Sequence, residues 1–136
     1  IRPNPDHLGW IAFYSRGVAA GLPTDIEDIL ECHLDLNQHL TENSEGVFCI
    51  RVQGDSMIGA GIHDHDLLVV DRLAEPVDGK IVIASINAEL TVKRLKREDD
   101  QLFLMPENPA YAPIVISEAM DLKIWGVVRH VIHALE

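Results

Sequence analysis

The sequence predicts a mainly β domain, an antiparallel sandwich or partly open barrel, preceded by a short helix and an extended N-terminal arm. Three observations lead there. Short apolar or alternating segments recur from Val47 to the C-terminus, turn signals separate them, and helical spacing is confined to the stretch before Val47. Strands are expected over 47–52, 67–70, 80–86, 90–95, 102–105, 114–116 and 123–131. In the first of these, Phe48, Ile50 and Val52 alternate with Val47, Cys49 and Arg51, so one set faces a core. Gly59-Ala60-Gly61, Pro76-Val77-Asp78-Gly79, Asn87-Ala88, Glu98-Asp99-Asp100 and Asn108-Pro109 supply the turns.

The elements before Val47 follow a different pattern. Residues 1–20 carry Pro3, Pro5, Gly9 and Gly17 without a sustained period, which reads as an arm. Trp10, Phe13 and Tyr14 are unusual in a disordered tail, so the arm is expected to dock on its own domain or on a partner. Thr24 followed by Glu27 fits a capping box, and Ile26, Ile29 and Leu30 continue a helix to about residue 31. Leu34, Leu36 and Leu40 extend the apolar pattern through a second short helical or turn segment, and 41–46 is a polar loop.

Composition excludes several classes. The 136 residues suffice for one core without staples, and 47% hydrophobic with 24% charged residues is ordinary for a soluble protein. No apolar run is long enough to cross a bilayer, and residues 1–9 do not form a signal peptide. The formal net charge of −11 repels phosphate backbones, so direct sequence-specific DNA binding is not expected. Cys32 and Cys49 match no metal or disulfide spacing, and Cys49, in an apolar run, reads as a buried thiol in a reducing, cytoplasmic setting. The chain opens on Ile1, so the gene product is expected to extend further upstream.

Chemistry concentrates in two segments. Gly54-Asp55-Ser56-Met57 follows the first strand, where a serine hydroxyl and nearby backbone N–H groups can share one volume, as acyl transfer requires. The same residues also make an ordinary turn. A serine needs a base, and no Ser-His-Asp set stands out, which leaves the Ser-Lys solution. Lys93 is the candidate, because it lies inside a strand and shares a face with Thr91 and Leu95. An edge-strand lysine that discourages aggregation is the competing explanation.

The run Val52 to Arg72, with Gly54-Asp55-Ser56-Met57, Gly61-Ile62 and Asp66-Leu67-Leu68-Val69-Val70-Asp71, resembles the serine motif of the LexA-like self-cleaving peptidases. Glu89-Leu90-Thr91-Val92-Lys93-Arg94-Leu95 resembles their lysine motif, and Ala19-Ala20-Gly21-Leu22-Pro23 their cleavage site. Gly126-Val127-Val128-Arg129-His130-Val131 fits as well, so the resemblance runs from about residue 10 to the C-terminus. The short arm, the acidic balance of the whole chain, Leu34-Asp35-Leu36-Asn37-Gln38 and the segment Asn108 to Ile114 resemble the UmuD branch rather than the repressors, which carry a helix-turn-helix domain before the cut.

The resemblance implies Ser56 as nucleophile, Lys93 as general base, and Ala20–Gly21 as the bond cut, with the N–H groups of Ser56 and Met57 as oxyanion donors. It implies an arm, 1–20, removed from a peptidase and dimerisation domain, 21–136. It further implies a homodimer, stimulation by a RecA–DNA filament in the DNA-damage response, and a UmuC-type translesion polymerase as partner. No cofactor or membrane is implied. Two departures stand out. Ala20 replaces the cysteine of some UmuD proteins, and His65 occupies a turn position often filled by glycine, where the backbone is expected to differ.

Other readings remain. His63-Asp64-His65-Asp66 could place two alternate histidines on a metal, but it overlies a turn, and no metal is expected. His130 and His133, three apart in a strand, face opposite ways. The chain could serve mainly as an interaction module switched by cleavage, or as the peptidase part of a repressor-like regulator. A signal-peptidase relative would share Ser-Lys chemistry, but no membrane segment accompanies it.

Overall fold

A computed structural model describes residues 10–14 and 30–136. The chain divides into two compact units, 1–43 and 44–136.

In the first unit β1 (Trp10–Tyr14) pairs antiparallel with β2 (Leu30–Asp35), with Ile11 opposite Leu34 and Ala12 opposite His33. Leu30 and Glu31 are therefore strand, and not the end of the expected helix. Pairing with β1 satisfies backbone groups that a short isolated helix holds only marginally, so a long-range partner overrides the local period. The capping-box residues Thr24 and Glu27 lie outside the described residues, as do Ala20 and Gly21. The second helical segment does form, as α1 (Leu36–Thr41). The Asp35 carboxylate caps it by accepting from the Asn37 amide at 3.0 Å, and left-handed Glu42 ends it.

The second unit is mainly β. Its strands are β3 (Val47–Arg51), β4 (Leu67–Asp71), β5 (Ile81–Ile86), β6 (Glu89–Glu98), β7 (Gln101–Met105), β8 (Ile114–Val115) and β9 (Leu122–Ile132). All seven pair antiparallel in one sheet of order β3-β4-β9-β5-β6-β7-β8, which does not close into a barrel. The strand latest in sequence thus lies inside the sheet, between β4 and β5.

Burial explains the alternation. Val52 is buried and Phe48 and Ile50 pack beside it, whereas Cys49 is an exposed free thiol on the side of exposed Arg51. The expectation of a buried Cys49 is corrected: strand pleating gives the core to the larger neighbours on either side. β5 behaves differently, with four consecutive buried residues. Ile81 and Ile83 join one cluster with Met57, Ile62, Leu68 and Val70. Val82 and Ala84 join a second with Leu95, Leu104 and Val127. Apolar groups on both faces of β5 make its sequence a continuous run, as expected of a strand covered on both sides.

β9 bends the sheet. Its register shifts twice, against β5 between Ile83 and Ala84 and against β4 between Val69 and Val70, leaving Trp125 and Arg129 as extra residues. Bulges of this kind increase local twist and curl a sheet over its own core. Gly126 sits at the crowded point between them, where an added Cβ would lie 2.7 Å from Val70 Cγ1 and 3.1 Å from the Arg72 backbone. Gly126→Ala is expected to destabilise the protein by about 1–3 kcal/mol through overpacking. Urea denaturation of the variant beside the parent checks this, and an unchanged midpoint would contradict it.

Candidate active site

The serine segment starts where β3 ends. Val52 donates to the Asp66 carbonyl at 2.8 Å and accepts from the His65 amide at 2.9 Å, so residues 52 and 65–66 close a tight loop. His65 has φ 72°, the left-handed conformation that glycine adopts without steric cost. The backbone here is therefore glycine-like despite the histidine, and Arg51 Nη1 donates to the His65 carbonyl at 2.9 Å. Gly54, at φ 93°, turns the chain towards Ser56, and its amide donates to Asp64 Oδ1 at 2.7 Å.

Ser56 and Met57 then lead into a 3-10 turn over Ile58–Ala60. Met57 is 1% exposed and anchors the segment in the first core, leaving Ser56 half-buried. A second loop holds the same segment from outside. The Glu107 amide donates to the Ser56 carbonyl at 2.8 Å, and the Gly59 amide to the Glu107 carbonyl at 2.7 Å. Asn108 Nδ2 donates to the Asp55 carbonyl at 2.9 Å, and the Tyr111 hydroxyl to Asp55 Oδ1 at 2.7 Å. The Asp55 carboxylate raises the Tyr111 phenol above its ordinary pKa, through that hydrogen bond and its charge. Arg94 Nε fixes Glu107 in turn, at 2.6 Å.

Lys93 enters from β6. Its Nζ lies 2.8 Å from Ser56 Oγ, 2.7 Å from Thr91 Oγ1 and 3.1 Å from the Val92 carbonyl. Only 7% of the residue is exposed, and burial lowers its pKa below the usual lysine range. Among the described residues its partners are neutral oxygens, with no carboxylate in ion-pair range. A neutral amine there has a lone pair to accept the serine proton, while Thr91 and Val92 accept its own N–H groups. Ser56 and Lys93 border a cavity of about 410 Å³ lined by Ile50, Leu68, Ile83 and Leu90. The Ser56 and Met57 amides have no backbone acceptor among the described residues.

Ser56, Met57 and Lys93 thus come together, while the Ala20–Gly21 bond falls outside the described residues. Sequence reasoning missed the supporting groups Arg94, Glu107, Asn108 and Tyr111. Arg94 lies within the lysine motif and Asn108 and Tyr111 within the segment Asn108 to Ile114, but those resemblances gave them no role, and nothing local marks Glu107. Thr91 was detectable as the neighbour two residues before Lys93 on one strand face, but not as the amine's partner.

An antiparallel β scaffold with a serine and a buried lysine amine in contact is a serine-peptidase arrangement. The chain matches the peptidase S24-like family over residues 12–129 and belongs to it. Within that family it is a LexA/UmuD-like protein. It is 45% identical to LexA repressor 2 of Pseudomonas syringae pv. tomato over 112 residues, covering 81% of this chain and 54% of the repressor. It is 42% identical to protein SamA of Salmonella typhimurium over 120 residues, covering 88% of this chain and 83% of SamA. Protein ImpA of Salmonella typhimurium is 41% identical over 120 residues, with 84% of this chain and 77% of ImpA covered. The chain therefore spans about half the length of the LexA repressor and most of SamA and ImpA. Among the described residues no helix is long and apolar enough to cross a membrane.

The depressed Lys93 pKa has a thermodynamic consequence. The unfolded chain binds a proton on this amine more readily than the folded one does. Stability therefore rises with pH between the lowered folded value and the ordinary lysine value, by at most about 1.4 kcal/mol per pH unit. In a Ser56→Ala background, Lys93→Met is expected to remove that rise and to be the more stable variant below the window. Parallel denaturation curves across alkaline pH check this, and equal slopes for both proteins would contradict it.

Proposed function

We propose that the chain is an autocatalytic serine endopeptidase that cleaves its own Ala20–Gly21 bond, separating the arm 1–20 from the domain 21–136. The observation that carries this is the 2.8 Å approach of Ser56 Oγ to a lysine amine whose pKa burial lowers. Neutral Lys93 takes the Ser56 proton as Oγ attacks the Ala20 carbonyl carbon. The N–H groups of Ser56 and Met57 hold the oxyanion. Protonated Lys93 then gives its proton to the departing Gly21 nitrogen, leaving an ester between Ser56 and Ala20. Lys93 next deprotonates a water, which hydrolyses that ester and restores the serine.

On this reading the chain acts in the DNA-damage (SOS) response, in the bacterial cytoplasm. A RecA–DNA filament stimulates the cut, and the trimmed homodimer acts as accessory subunit of a UmuC-type error-prone translesion polymerase. Similarity to SamA and ImpA over most of their length supports the UmuD-like role. Identity to LexA repressor 2 supports instead the peptidase part of a repressor-like regulator. A mobility-shift assay of the complete gene product on its own promoter separates the two, because the UmuD-like role requires no sequence-specific retardation. A third role, an interaction module switched by cleavage, predicts that Ser56→Ala alters partner binding only through the uncut arm.

Incubating the purified chain at alkaline pH is expected to yield a fragment beginning at Gly21, identified by its mass. A cut at another bond would overturn the assignment. The rate should rise about tenfold per pH unit below the Lys93 pKa and level off above it. Ser56→Ala should abolish the fragment, and Lys93→Met should slow its formation by about 10²–10⁴-fold. Thr91→Val, which removes one amine partner, should slow it about fivefold, the equivalent of one ordinary hydrogen bond.

A further inference from the structure

A second cluster of reactive side chains lies outside the serine–lysine site. Asp66 ends the turn that precedes β4, and His133 follows the last residue of β9. Because Leu67 pairs with Ile132 across these strands, the residues just beyond them meet at the sheet end. His133 Nδ1 lies 2.5 Å from Asp66 Oδ1, and His63 Nδ1 lies 3.6 Å from Asp66 Oδ2. The two imidazole rings lie against each other at 4.7 Å between centroids, tilted by 35°. One ligand atom from each residue can be chosen so that all three lie within 4.8 Å of one another.

We propose that His63, Asp66 and His133 form a binding site for one divalent transition-metal ion of the zinc type. Two imidazoles with one carboxylate are a donor set that such ions favour, and three protein ligands leave a position for water. The Asp66 side chain is 2% exposed, and the His63 amide fixes Oδ2 at 2.7 Å. One ligand is thus buried and pre-oriented. The two rings are 46% and 44% exposed, which gives an ion a path from solvent. The chain's formal charge of −11 favours cations at its surface. Tetrahedral coordination with bonds of about 2.0–2.1 Å separates ligand atoms by about 3.3 Å. The ion therefore replaces the direct His133–Asp66 hydrogen bond, and the two rings shift by about 1 Å or more to bring three ligand atoms, now within 4.8 Å of one another, to that spacing.

These ligands differ from the set suggested by the tract His63-Asp64-His65-Asp66. His65 points elsewhere, with its Nε2 3.2 Å from Asp64 Oδ2, and the third ligand comes from the far end of the chain. A bound ion would clamp the turn 63–66 to the end of β9. The same turn supplies Asp64 Oδ1 to the Gly54 amide, so the clamp acts on the segment leading to Ser56.

The test uses tag-free, full chain in the Ser56→Ala form, stripped with chelator and titrated with zinc chloride by calorimetry. One ion per chain with micromolar or tighter affinity is expected. His63→Ala and His133→Ala should each weaken it at least about tenfold, and His65→Ala should leave it unchanged. Magnesium should not compete, because it prefers oxygen ligands. Zinc should raise the melting temperature of the parent by several degrees and leave the double variant His63→Ala/His133→Ala unmoved. Imidazole nitrogen resonances of the parent offer a readout that needs no variant, with those of His63 and His133 the ones that shift. No saturable binding by the parent would overturn the proposal and leave a hydrogen-bonded His–Asp pair only. Affinity retained in the double variant, or resonance shifts confined to other histidines, would overturn it equally.

Discussion

Burying a lysine amine against neutral oxygens is costly whenever the amine is charged, and this sheet offers Lys93 no carboxylate to offset that cost. The surroundings instead favour the uncharged form. The Thr91 hydroxyl and the Val92 carbonyl come from the same strand as the lysine, so they form with β6 itself. The Ser56 hydroxyl must be brought from the other side of the core. Much of the second unit can be read as the means of making that contact while keeping water away from the amine.

Sheet curvature is the principal means. β3 and β6 are separated by three strands in the sheet order, yet Ser56, just beyond β3, touches a β6 side chain. The paired bulges of β9 and the glycine between them let the β3–β4 edge curl over one face of β5. The β7 and β8 residues Leu104 and Ile114 pack with the cluster that includes Val82 and Ala84 of β5. Two half-cores thus share one central strand, and the serine segment lies over the first of them, anchored by Met57.

The strands and the Ser56–Lys93 pair were legible in the sequence to different degrees. Alternation and turn residues located all seven strands of the main sheet, because pleating imposes a period of two wherever one face is buried. Ser56 and Lys93 were each ambiguous from their neighbours and became persuasive only as an ordered set of motifs. The β1–β2 hairpin was not visible, since Leu30 continues a helical spacing and its strand partner lies far upstream. Bulges at Trp125 and Arg129 left no local signature, although Gly126 stands beside the first. Tyr111, Asn108 and Glu107 act on residues about fifty positions away, beyond the reach of any local period. Local rules describe strands well and describe the meeting of distant loops poorly.

The grip of the 107–111 loop on the serine segment also bears on how the protein is made. Synthesis delivers Ser56 well before Lys93, and Tyr111 later still; the hydrogen bonds of Lys93 with Ser56 and of Tyr111 with Asp55 span 37 and 56 residues. Contacts of such sequence separation form late, because a long loop must close before they return any free energy. β9, which bridges β4 and β5, follows all the other described strands along the chain. A nascent chain therefore carries its serine and lysine for much of its synthesis without the frame that brings them together. Their contact waits on β9, which joins the two parts of the sheet that carry them.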